Sequence, residues 1–208
     1  GKRTRLAVIS GRSLSGLRKQ FDLPGLAYGG VFGLELDAPG WRFRHPSAQA
    51  GSPALETLLE RLHALYDDMP GIQVEDKRAG VALHFRRLPA RLRPEFSRRL
   101  RPARKSAPRG LAWRRTAFSW EITPRTSWDK GKAALLLRRR LGHPFLLAIG
   151  NDRFDEPMLR VAQRYGAGIR VGRGASKAGF RLKDTREVHR FLRALAERAE
   201  TGFVKALS

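Results

Sequence analysis

Cysteine is absent from this chain, which excludes disulfides and thiolate metal centres. Acid is scarce: 19 Asp and Glu stand against 42 Lys and Arg, a net charge of +23. No apolar run approaches the roughly 18 residues that a membrane helix needs, and no cleavable signal is recognisable. A soluble, cytoplasmic protein without a membrane partner is therefore expected. An initiator methionine is missing too, Gly1 standing first, so an upstream segment is expected to be lost.

What remains is 208 residues, 41% of them hydrophobic, enough for one large domain or two small ones around a sizeable core. The excess base is mostly arginine, 33 against 9 lysines. Such a field attracts polyanions, nucleic acid first among them. The bases are nevertheless scattered over most segments. The densest stretch, Arg86 to Arg115, holds Phe96 and Trp113 but no stacking ladder. Arginine as a general surface residue is the favoured reading, and dedicated nucleic-acid binding the lesser one.

Along the chain, "RLAVIS" (Arg5 to Ser10) reads as a buried strand stopped by Gly11, and "SLSGLRKQF" as a helix with Ser13 as a cap. "LAYGGVFGLEL" (Leu26 to Leu36) reads as one strand broken by glycines, followed by a turn-rich boundary from Asp37 to Pro53. Leu55, Leu58, Leu59, Leu62 and Leu65 then share one helical face. Two strands follow, the second with Val81, Leu83 and Phe85 on one side and His84 and Arg86 on the other. A basic helix over about Pro94 to Arg104 and two more strands complete this region. After Pro124 helices alternate with the strands "FLLAIG" and "AGIRVG", the pattern of a parallel doubly wound sheet. The expected organisation is an α/β core, residues 1–45 and 123–208, with an α+β domain inserted over 46–122.

Ligands of open α/β sheets bind at the carboxyl ends of strands. Three polar clusters stand at such ends. Ser10, Gly11 and Arg12 can hold phosphate oxygens, or simply start a helix. Lys130, early in a helix whose N-terminus already favours anions, gains a reason from an anionic partner, or is a solvated lysine. Asn151, Asp152, Asp155 and Glu156 can bind a hard cation through oxygen, or stabilise the next helix's first turn. Taken together they describe phosphoryl transfer: a phosphate cradle, a lysine and a metal along one sheet edge.

In order and spacing these segments resemble the haloacid-dehalogenase (HAD) superfamily of phosphatases and, within it, the trehalose-6-phosphate phosphatase family. "AVISGRS" resembles the second motif and "GGVFGLEL" a glycine–histidine–glycine–acid segment. "PGIQVEDKRAGVALHFRR" resembles a strand pair of the cap, and "WEITPRTSWDKGKA" the lysine segment. "GNDRFDE" resembles the fourth motif, and "VGRGASKAGFRLKDTREVHRFL" the closing strand, loop and helix. The resemblance implies a Rossmann-like parallel-sheet core with an inserted α+β cap. It implies attack of an aspartate on phosphorus, an aspartyl phosphate, hydrolysis by water, and Mg²⁺ as cofactor. Ser10, with Gly11 and Arg12, would hold phosphate, and Lys130 would neutralise charge. Asn151, Asp152 and Asp155 would supply or orient the metal shell. Glu75, Lys77, His84 and Arg86 in the cap, and Glu35 and Glu121 nearer the core, would contact the sugar.

Three departures accompany the resemblance. The first motif, Asp-x-Asp-Gly-Thr, is absent, and with it the nucleophile, the general acid and the first core strand. The chain is therefore expected to be an inactive fragment, with a glycosyltransferase domain a candidate for what precedes it. Asn151 replaces the usual aspartate and Phe32 the usual histidine. Trehalose 6-phosphate is the expected substrate. Another sugar phosphate such as sucrose phosphate, or non-catalytic binding of an anion or RNA, are the alternatives.

Overall fold

The computed structural model describes residues 4–142 and 145–204. They form two compact units, Gly1–Trp128 and Asp129–Ser208. In the first unit β1 (Ala7–Ile9) leads into α1 (Leu14–Gln20), whose N-cap Ser13 accepts a hydrogen bond from the Gly16 amide. β2 (Ala27–Gly30), β3 (Glu35–Ala38) and β4 (Trp41–Arg44) follow, then α2 (Pro46–Ala50) and α3 (Ser52–Tyr66). β5 (Gln73–Asp76), β6 (Val81–His84), α4 (Arg93–Lys105), β7 (Leu111–Arg115) and β8 (Ser119–Pro124) complete the unit.

Two sheets organise it. In the first, ordered β1-β2-β3-β4, β1 and β2 run parallel and the rest antiparallel. The second, ordered β5-β6-β8-β7, is antiparallel throughout. Its apolar face packs on α3 and α4: Leu58 and Leu62 meet Val81, Leu83 and Ile122, with Phe96 and Leu100 closing the cluster. The leucine periodicity of α3 is what buries this face, since Leu55, Leu58 and Leu62 fall on one side of the helix.

Two elements differ from the sequence reading. The glycine-broken strand expected over Leu26–Leu36 is two antiparallel strands, β2 and β3, joined by a 3₁₀ turn over Val31–Gly33. Val31 (φ 47°) and Phe32 (φ 60°) both stand in the left-handed region, where a β-branched residue is strained. The boundary expected over Asp37–Pro53 contains β4 and α2. Its prolines and glycines cap and turn these short elements.

The second unit comprises α5 (Lys130–Arg140), β9 (Leu146–Gly150), α6 (Glu156–Tyr165), β10 (Gly166–Val171), β11 (Phe180–Leu182) and α7 (Thr185–Val204). Its sheet is parallel, ordered β11-β10-β9, as the alternation after Pro124 predicts. β1 and β9 each end their own sheet, paired on one side only among the described residues. No described helix is long and apolar enough to cross a membrane.

Candidate active site

The loop after β1 is pinned through its backbone. Ser10 donates its amide to the Gly29 carbonyl at 2.8 Å. The strained residues Val31 and Phe32 donate theirs to the carbonyls of Arg12 and Ser10, each at 2.8 Å. The Phe32 ring lies against Gly11, where a Cβ would come within 2.8 Å of it. A larger residue there would have to push the ring aside. Within the loop the Arg12 amide donates to Ser10 Oγ at 3.2 Å.

The second sheet turns a polar face the other way from its helices. Side chains alternate along a strand and align across paired strands. Register therefore sets Glu75, Ala82, Glu121 and Arg114 in one row, and Gln73, His84 and Ser119 in the next. Lys77 is 3% exposed and Glu121 7%, burial that ionised groups tolerate only when paired. Lys77 Nζ donates to Glu121 Oε2 at 2.6 Å and to the Gly11 carbonyl at 2.9 Å. The Ser119 hydroxyl donates to Glu121 Oε1 at 2.8 Å. His84 Nε2 and Glu75 Oε2 are 2.7 Å apart. That bond, against the cost of burial and with the charges of Lys77 and Arg12, holds the Glu75 carboxyl below its ordinary range.

Of the residues expected at the sugar, Glu75, Lys77, His84 and Glu121 are thus gathered beside Gly11 and Arg12. Glu35 and Arg86 are engaged differently. Glu35 pairs with Arg44 at 3.4 Å, and burial outweighs that pair and pushes its carboxyl up. Arg86 is exposed, its guanidinium 4.2 Å from the centre of the Phe118 ring. Arg114 is a residue that the sequence reading missed. It donates to Thr123 Oγ1 and lies 5.8 Å from the centre of the Phe32 ring, and burial lowers its pKa. Its place opposite Glu121 depends on strand register, which a single sequence does not display.

In the second unit Asp129 caps α5 by accepting from the Lys132 amide at 2.9 Å. Lys130, the first residue of α5, is buried, with Nζ 2.6 Å from Asp155 Oδ1. Asp155 Oδ2 accepts from the Asn151 and Asp152 amides, both at 2.9 Å. The turn closes tightly: a Cβ on Gly150 would lie 2.5 Å from the Asp155 side chain. Asn151 and Asp152 are exposed. Asp152 caps the turn by accepting from the Phe154 amide at 3.1 Å. Glu156 ties in the loop after β10 through Ser176 Oγ, the Lys177 amide and Arg170. Among the described residues no three His, Cys, Asp or Glu side chains converge as a metal cage. What the turn offers is two exposed oxygen-bearing side chains, Asn151 and Asp152. That number suits Mg²⁺, which keeps much of its water shell and takes phosphate oxygens beside one or two protein ligands.

A family model described as trehalose-phosphatase matches residues 2–186. A trehalose-phosphate phosphatase of Mycobacterium tuberculosis is 31% identical over 215 residues, covering 98% of this chain and 54% of that protein. A probable trehalose-phosphate phosphatase H of Arabidopsis thaliana is 29% identical over 212 residues, covering 92% and 60%. The chain thus spans little more than half the length of the curated relatives it matches. Among solved structures, a trehalose-6-phosphate phosphatase related protein superposes with a TM-score of 0.80 at 18% identity, covering 97% of this chain and 84% of that one. The C-terminal domain of a Candida albicans trehalose-6-phosphate phosphatase gives 0.73 at 19% identity, covering 93% and 78%. The likeness of fold is to the α/β haloacid-dehalogenase type.

Proposed function

Since the chain belongs to the trehalose-phosphatase family, we propose that it carries the phosphate- and sugar-binding parts of a phosphatase that converts trehalose 6-phosphate to trehalose and phosphate. In this reading residues 1–45 and 123–208 are the core and 46–122 the cap. The observation that carries it is the polar face of the second sheet, whose Lys77 reaches the Gly11 carbonyl. A disaccharide presents many hydroxyls, each both donor and acceptor. A row of carboxylate, ammonium and imidazole groups matches them.

Ser10 takes a phosphate oxygen. Its Oγ already accepts from the Arg12 amide, so its proton is left to donate outward. Gly11 and Arg12 complete the cradle. Lys130 neutralises phosphate charge, its ammonium aimed by Asp155. Asn151 and Asp152 would hold Mg²⁺, which when bound withdraws charge from phosphate oxygens. Asp155 serves that shell by fixing the two amides, because both of its oxygens are engaged. An amide at Asn151 in place of a carboxylate weakens the affinity for the ion.

Asp-x-Asp occurs nowhere in the 208 residues. The aspartyl-phosphate route needs that pair as nucleophile and general acid, so this chain by itself is expected to be inert. The cytoplasm is its expected compartment and an upstream glycosyltransferase domain a candidate partner. A phosphatase of another sugar phosphate is the second reading. It is favoured by Phe32, which puts an apolar ring over Gly11 where the family usually has histidine.

Phosphate release and thermal unfolding together test the proposal. With Mg²⁺ and trehalose 6-phosphate the 208-residue chain should release no phosphate; turnover would contradict its inertness. Trehalose 6-phosphate should raise Tm by several degrees at about 100 Kd, more than inorganic phosphate or sucrose 6-phosphate does. A larger shift with sucrose 6-phosphate would favour the second reading, and no shift with any of the three would overturn both.

A further inference from the structure

The densest basic stretch, scattered when read along the chain, is gathered in space by α4. Residues 86–115 hold 12 Lys and Arg and a single acid, Glu95. α4 buries Phe96, Leu100 and Ala103 against the second sheet. At about 100° per residue, Arg93, Arg98, Arg101, Arg104 and Lys105 fall within one arc of about 140°, which starts beside Leu100 and runs away from the buried side, and all five are exposed. The only other residues in that arc are Pro94 and Ser97. Glu95 lies outside it and is bound to Arg99 at 2.7 Å, reaching Arg98 only at 3.5 Å. Among the described residues Arg93, Arg101 and Lys105 make no ion pair.

This arrangement works against the helix. Arg101 has like charges at i−3, i+3 and i+4, and Arg93 puts a cation in the first turn, against the dipole. The long helices α3 and α7 mix their charges, with Glu56 and Glu60 on one and Glu187 and Glu197 on the other, and α5, which has no acid, keeps its three arginines in the last turn, where the dipole favours them. A repulsive arc that the fold does not neutralise is relieved by an anion bound from outside. Its chemistry narrows the partner. Four of the five cations are arginines, whose planar forks match phosphate oxygens. The arc has no aromatic or aliphatic anchor of the kind that protein interfaces are built around. Arg104, at its margin, lies 4.4 Å from the centre of the Trp120 ring and is held there. From Arg93 to Lys105 the helix runs about 18 Å, the length of several phosphates at about 3.4 Å of axial rise each.

We infer that the outward arc of α4 is a binding surface for the phosphate backbone of nucleic acid, read without regard to base sequence. The surface is independent of the sugar-phosphate site, because α4 covers the apolar face of the second sheet and the site uses the other face.

Fluorescence anisotropy of a mixed-sequence single-stranded RNA with the full chain tests it. The triple variant Arg93→Gln, Arg101→Gln, Lys105→Gln should bind about tenfold more weakly at ~0.1 M salt, with the log–log salt slope reduced by about two. A control triple on exposed residues of the second unit, Arg160→Gln, Arg186→Gln, Arg193→Gln, removes the same charge and should stay within about twofold of wild type. The α4 variant should melt no lower than wild type, since it removes repulsion; a fold lost with the arginines would overturn the repulsion argument. Equal loss in both triples would make the binding diffuse and overturn the assignment. No binding by wild type would do the same. So would displacement of the RNA by poly-glutamate at equal charge concentration, which would assign the surface to acidic peptide instead.

Discussion

Lys77 and Glu121 meet across 44 residues of sequence at 2.6 Å, nearly out of reach of water. Charges so placed are costly unless paired, and stripping one partner from a buried pair costs about 3–5 kcal/mol. Lys77→Met should therefore lower the unfolding free energy by about that amount, read from urea denaturation. Neither residue type nor spacing reveals the pair; it exists because β6 sets Ala82 between the strands of Glu75 and Glu121. Glu75 and Glu35 respond to acid in opposite senses. The Glu75 carboxyl is held below its ordinary 4.5, so its contribution to stability is present above that value and is lost as pH falls through the depressed one. Glu75→Gln should flatten the acid limb of Tm against pH below about 4.5. The Glu35 carboxyl is pushed up by burial, so its ionised form destabilises the fold at neutral pH, and the penalty fades as pH falls through the raised value. Glu35→Gln should raise Tm at pH 7. A carboxylate kept at a cost to stability fits a binding role.

At the scale of elements, the strand alternation in "GVALHFRR" and the leucine face of α3 were legible because each follows from local spacing. So was the cap of α1. Ser13→Ala should cost about 1 kcal/mol, measured by chemical denaturation. The hairpin of β2 and β3 was not legible. Its turn sets Val31 and Phe32 at positive φ, against the preference of both residue types, and the pay-off is tertiary: their amides pin the Ser10–Arg12 loop. The turn after β9 is legible in part. Asp152 and Asp155 announce a capped helix start, whereas the Lys130 partner of Asp155 lies 25 residues upstream. Gly150→Ala should displace Asp155, loosening the turn and lowering Tm, because the new Cβ would sit 2.5 Å from that side chain.

For the molecule as a whole, the +23 charge is the feature with most bearing on partners. It adds a long-range attraction for every anion, sugar phosphate and RNA alike, and salt screens it with a Debye length of about 8–10 Å at physiological ionic strength. Specific binding is separable from that background by what a neutral, isosteric change does. Calorimetric titration of trehalose 6-phosphate into the full chain with Mg²⁺, wild type beside Glu75→Gln, is the most direct measurement. The expected result is saturable binding that weakens about tenfold or more when Glu75 loses its charge, as for a hydrogen bond to a charged group. Equal affinity in the two proteins, or no saturable heat in either, would contradict it.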